Sequence, residues 1–405
     1  MSAQPGSTDG HDAGLWWRPA LAMFAVGYGA NQFVPLLSVY RRTLRLSDAQ
    51  ATAVFGVYAL GLIPGLLLGG RASDRYGRRP LMLAFAALSL VATAVLITGQ
   101  WGPGGLYAGR LLTGVVSGTV FTVGTAWVKE LSTGAAPGTG ARRAAVALTA
   151  GFGIGPLVAG PLAQWAPAPE VFPYLVHLVL AATALALLPG APETRRPGPA
   201  PGRRSRLLAA SACSPRFRRL VLPLGPWVFG SVTIVFTTLP AHGVQPLPAL
   251  GVAFPGLLAA ASLAAGFAVQ PWGRRLHARS AEHGGPGAAS IALAVVTAGC
   301  LAAAEATASP GLLAVTVAAL LLGAGYGLCL IIGLREVEQL AAPDELGAVV
   351  AVFYSLAYSG LAVPYLLALI APHIGYPPAL LGTAGAAALT LLIVLLRTER
   401  HPTSS

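Results

Sequence analysis

The chain alternates long apolar runs with short polar joints. A helix needs about 20 mainly apolar residues to cross a bilayer, and twelve runs reach that length. They predict helices over 15–39, 51–70, 81–99, 104–128, 143–165, 172–189, 220–240, 248–270, 287–305, 311–333, 346–370 and 376–396. Residues 1–14 are polar and expected to be disordered; the span after them is too long for a signal-peptide core, so it is expected to be retained. Residues 190–219, rich in Pro, Gly and Arg, form a linker between the first six spans (15–189) and the last six (220–396). Residues 397–405 are a short polar tail. The pattern predicts an all-α membrane protein.

Composition narrows the function classes. The chain has 405 residues, is 55% apolar and has a mean hydropathy of +0.68, beyond what a soluble core requires. The net charge of +12 does not point to nucleic acid, because the basic residues sort by side. Arg41, Arg42 and Arg45 follow the first span, Arg110 lies inside the fourth, and the other 22 basic residues fall at the opposite face. Basic residues stay cytoplasmic, so both termini are expected inside. Cys213, Cys300 and Cys329 are isolated, which predicts no disulfide and no metal site. There is no phosphate-binding loop and no cofactor motif, so a gradient must supply the energy. A membrane enzyme would need clustered His, Asp or Cys at one face, and the sequence offers none.

One polar joint stands out. Gly70–Arg79 reads G-R-A-S-D-R-Y-G-R-R and is expected to form a cytoplasmic loop. Asp74 can pair with Arg75 and Arg78. Gly77-Arg78-Arg79 recurs as Gly273-Arg274-Arg275 after the eighth span, which suggests a repeated half. The decapeptide resembles the signature between helices 2 and 3 of the major facilitator superfamily, matching at Gly70, Asp74, Arg75, Gly77, Arg78 and Arg79; Ala72 stands where a leucine is usual. The resemblance implies two six-helix bundles around a midplane site. It also implies a monomeric secondary transporter in the bacterial inner membrane, with a small-molecule substrate, protons and the lipid bilayer as partners. Asp74 and its arginines would then latch onto the start of helix 11, where Asp344 is a candidate.

Ionisable groups inside the hydrocarbon are costly and functional by default. Arg110 lies in L-Y-A-G-R-L-L-T-G beside Gly109, Gly114 and Gly118, a stripe that argues for a close-packed helix rather than an arginine snorkelling to the interface. It resembles the superfamily's helix 4 arginine, implicated in proton transfer. Helix 5 carries Gly151, Gly155, Pro156 and Gly160, similar to the superfamily's antiporter motif, with Ala159 in place of a glycine. That resemblance implies proton-coupled export of small apolar compounds; uptake or exchange of a metabolite, anionic to suit the buried arginine, is the alternative. Asn31 and Gln32 can bond a solute or join helices. Tyr28, Trp227, Tyr326, Tyr354 and Tyr358, with Tyr58, offer rings for a cavity wall. His177 can titrate near neutral pH but reads as packing near the outer end. No acid falls at mid-membrane.

Overall fold

The computed structural model describes residues 14–195, 210–244, 249–282, 286–342 and 345–399. Residues 1–13, 196–209 and 400–405, which fall in the N-terminal, linker and tail segments, lie outside the described residues, as does Asp344. Among the described residues there are no strands, and twelve helices are long and apolar enough to cross a membrane. They are α1 (Trp17–Thr43), α2 (Asp48–Tyr76), α3 (Arg78–Trp101), α4 (Pro103–Glu130), α5 (Thr139–Trp165), α6 (Phe172–Gly190), α7 (Phe217–His242), α8 (Ala253–Glu282), α9 (Gly287–Ala308), α10 (Leu312–Leu340), α11 (Leu346–Ile374) and α12 (Tyr376–Leu396).

Local chemistry fixes the helix starts. Ser47 caps α2 in a reciprocal box: its hydroxyl accepts from Gln50 N at 3.2 Å, and Gln50 Oε1 accepts from Ser47 N at 3.0 Å, so two otherwise orphaned donors are satisfied. Pro103 opens α4, where its missing N–H costs nothing.

Several helices outrun their apolar runs. The signature is not a loop: residues 70–76 continue α2, and a single residue, Gly77, separates α2 from α3. Gly77 has φ +96°, a conformation in which side chains other than glycine are strained. Arg41 and Arg42 occupy the last turn of α1 rather than the joint after it. Gly273 lies within α8, which runs on to Glu282, so the G-R-R echo does not fall at an equivalent turn. Hydropathy reports where the membrane is, whereas helical hydrogen bonding continues into water.

The helices pack as two six-helix bundles, α1–α6 and α7–α12. Small residues set the closest approaches. A Cβ on Gly114 or Gly118 of α4 would overlap the carbonyls of Tyr58 and Leu62 on α2. One on Gly323 or Gly327 of α10 would overlap those of Ser262 and Gly266 on α8. The same spacing in corresponding helices is a clear structural trace of the repeat. Between bundles, α5 lies against α8 and α2 against α11.

Candidate functional site

The signature builds the end of the molecule that carries Gly77, called here the basic end. Arg78 is buried. Its guanidinium bonds Glu130 through Nε at 3.3 Å and Nη2 at 2.9 Å, reaches Ser73 Oγ, and lies 3.4 Å from Asp74. Asp74 also lies 3.7 Å from Arg195, and Arg75 stacks over Tyr76. The sequence reading missed Glu193. Its carboxylate accepts from Arg78 N at 3.0 Å, Arg79 N at 2.8 Å and Arg195 N at 2.9 Å, an anion on the exposed amides that start α3. The available signal was an acid just past the sixth span, opposite in charge to the signature. Glu193→Ala should cost about 1–2 kcal/mol, in the range of a lost helix cap. The thermal midpoint in detergent should fall accordingly; an unchanged midpoint would remove Glu193 from the stabilising contacts.

The second bundle has its own ion cluster at this end, with Glu336 and His277 buried and Arg216 exposed. Arg216 bonds Glu336 through Nε at 2.9 Å and Nη2 at 3.2 Å, and His277 Nε2 lies 3.0 Å from the same carboxylate. This hydrogen bond to Glu336 raises the Arg216 guanidinium above its ordinary value.

The central cavity lies where the bundles meet. The first bundle contributes Asn31, Phe55, Tyr58, Arg110 and Phe152; the second contributes Phe229, Val232, Thr233, Phe236, Leu263, Tyr326, Tyr358 and Leu361. It holds about 430 Å³ of atom-free space, part of it open to solvent. Rings meet across it: Phe55 with Phe236 and Tyr58 with Tyr358, each pair with centroids 6.4 Å apart. A bulky solute therefore requires the bundles to part. Of the candidates for its wall, Asn31, Tyr58, Tyr326 and Tyr358 line the cavity. Tyr28, Gln32, Trp227 and Tyr354 lie outside its lining; Trp227 Nε1 instead donates to Thr390 at 3.2 Å. The phenylalanines drew no attention in the sequence because apolar rings in a span look like lipid-facing or core residues.

Arg110 is the one charged side chain among the described lining residues, and it is only 2% exposed. It does not snorkel. Nη1 donates to Ala30 O at 2.9 Å and Nη2 to Phe55 O at 3.3 Å. The rings of Tyr58, Phe33 and Phe55 face the guanidinium at 4.6, 4.7 and 5.4 Å. Nε has no hydrogen-bond partner. Two neutral carbonyls and three quadrupoles stabilise the cation, and among the described residues no carboxylate neutralises it. Buried charges are ordinarily paired, so the arrangement is unusual for an arginine at this depth.

The helix 5 glycines divide by partner. Gly151 and Gly155 press on the backbone of α1 at Phe24 and Tyr28, inside the first bundle. The Pro156 carbonyl meets Gly256, and Gly160 meets Ala253, across the bundle boundary. His177 is buried against Gly29, with Nδ1 2.7 Å from Thr93 Oγ1.

The family model of the Major Facilitator Superfamily matches residues 20–363. The chain belongs to the major facilitator superfamily. With its twelve apolar helices it is a multi-pass membrane protein of that fold. Among individual relatives, the chain is 33% identical over 109 residues to the facilitated glucose transporter member 8 of solute carrier family 2 from Mus musculus, covering 27% of this chain and 23% of that one. It is 29% identical over 103 residues to the multidrug resistance protein MdtL of Klebsiella pneumoniae, covering 25% and 26%. Each match thus spans about a quarter of the relative's length. A crystal structure of a POT family transporter in complex with 5-aminolevulinic acid superposes with a TM-score of 0.75 at 14% identity, covering 97% of this chain and 98% of that one.

Proposed function

We propose that the protein moves a small, largely apolar solute bearing one anionic group, by rocking its two bundles around the central cavity. One observation underlies this: Arg110 is a buried cation without a counter-charge among the described residues, facing a cavity walled mostly by rings and aliphatic groups. The rings would hold the apolar body, and the unpaired Nε and the Tyr58 hydroxyl would receive the anion. The basic end would face the cytoplasm, since arginine clusters resist translocation. Export is the direction we infer. The multidrug-resistance relatives and the helix 5 glycine pattern support it. An inside-negative potential also favours an anion leaving, by about 2.3 kcal/mol per charge per 100 mV. Protons are the coupling ion we infer.

Everted membrane vesicles test this reading. An aromatic carboxylate should enter about tenfold faster than its isosteric amide, a low estimate for a hydrogen bond to a charged group. A pH gradient, acid inside, should drive its accumulation. Equal rates for the two solutes would overturn the anion assignment. Accumulation confined to right-side-out vesicles would overturn export.

A further inference from the structure

The end opposite the signature, here the far end, carries a polar cluster used by neither the cavity nor the signature. Asp48 opens α2. Its carboxylate accepts a hydrogen bond from the Tyr376 hydroxyl at 2.8 Å, lies 3.0 Å from His242 Nε2, and pairs with Arg41. Arg41 and Asp48 belong to the first bundle; His242, at the end of α7, and Tyr376, at the start of α12, belong to the second. The imidazole stacks on the Tyr376 ring with centroids 3.8 Å apart. Nearby, Gln164 Oε1 of α5 accepts from Val252 N at 2.7 Å, and the α5–α8 glycine contacts lie at the same end. Polar and close-packed contacts together hold the bundles against each other here.

We infer that Asp48, His242 and Tyr376 form the far-end gate, and that the charge on His242 sets how firmly it closes. The inference rests on alternating access and is independent of the solute and direction proposed above. The side chains of Asp48 and His242 are 32% and 27% exposed, so protons reach them from solvent. Histidine is the side chain that changes charge between about pH 5 and 8. A protonated imidazole attracts the Asp48 carboxylate across the bundle boundary; a neutral one does not. Charge on the imidazole strengthens the contact across the boundary, so acid favours closure and a rise in pH favours opening. The groups facing the imidazole are Asp48 from α2 and Tyr376 from α12, with Arg41 of α1 on the other carboxylate oxygen. Arg42 and Arg45 are exposed on the same face.

The test needs no solute. Thr233→Cys places a reporter thiol in the cavity wall of a Cys213→Ser background in proteoliposomes. A membrane-impermeant thiol reagent is applied from the far side between pH 5.5 and 8.5. Divided at each pH by the reagent's rate with a free thiol, which removes the rise from thiolate formation, the labelling rate should rise about two- to fivefold with pH, the change a partly exposed ion pair supplies. His242→Gln should flatten the profile, and Asp48→Asn should do the same if the first variant fails to fold. Tyr376→Phe should raise labelling at every pH yet keep the slope, because it deletes a hydrogen bond but no charge. A flat profile in the parent, or the parent's slope in His242→Gln or Asp48→Asn, would overturn the inference.

Discussion

Replacing Arg110 with alanine should reduce transport of an anionic solute by about thirtyfold to several thousandfold, while the protein still inserts and folds. The range corresponds to the 2–5 kcal/mol lost when one partner of a buried charge pair is removed. Arg110→Lys should not restore the rate. The guanidinium spends two nitrogens on the Ala30 and Phe55 carbonyls and still has Nε free. A lysine offers a single point charge on a flexible stem and cannot make those bonds and meet the solute together. The uncharged isostere should move at parental rates in the alanine variant. Initial rates in proteoliposomes, with protein amounts matched, check all three expectations. Equal losses for charged and uncharged solutes would show that Arg110 only supports the fold.

The second large effect concerns packing. Gly118→Val should leave no well-folded protein. A Cβ there would overlap the Leu62 carbonyl and the Gly65 backbone. These are main-chain atoms of a buried helix that cannot turn aside. Overpacking costs about 1–3 kcal/mol even where side chains can adjust, and a whole protein has only about 5–15 kcal/mol in reserve. Gly327→Val in α10, facing the Gly266 carbonyl, should fail the same way. Gly382→Ala is the contrast: nothing lies within 4 Å of its added Cβ, so the change should be neutral, or stabilising by up to about 1 kcal/mol as helix propensity dictates. Size-exclusion profiles in mild detergent read the difference. A monodisperse Gly118→Val protein would show that α2 and α4 are not held at backbone contact.

These two sites show what the sequence reveals and what it hides. The twelve spans were legible because crossing a bilayer demands a length of apolar residues that chance seldom supplies. Arg110 was legible because a charge within such a run is conspicuous. The lack of a carboxylate beside it among the described residues was not, since its hydrogen-bond acceptors, the Ala30 and Phe55 carbonyls, are backbone. The continuation of α2 through Asp74 and Arg75 was hidden because charge there marks exit from the lipid, not the end of the helix. Glu193, more than a hundred residues from the amides it caps, and Asp48, more than three hundred from Tyr376, left no local mark. Only folding brings them together. The repeat was sought in a G-R-R echo, yet Gly77 is a turn and Gly273 is helical. It lay instead in Gly114 and Gly118 against Gly323 and Gly327, a spacing visible in the chain once the helix pairs are known.

The central claim is that the bundles must separate at the far end for transport to proceed. Gln164 and Val252 meet there across the boundary. With Gln164→Cys and Val252→Cys in a Cys213→Ser background, a short bifunctional thiol reagent should clamp the two bundles together. Transport should stop on cross-linking and return when a cleavable reagent is reduced. Undiminished transport by the fully cross-linked protein would contradict the account.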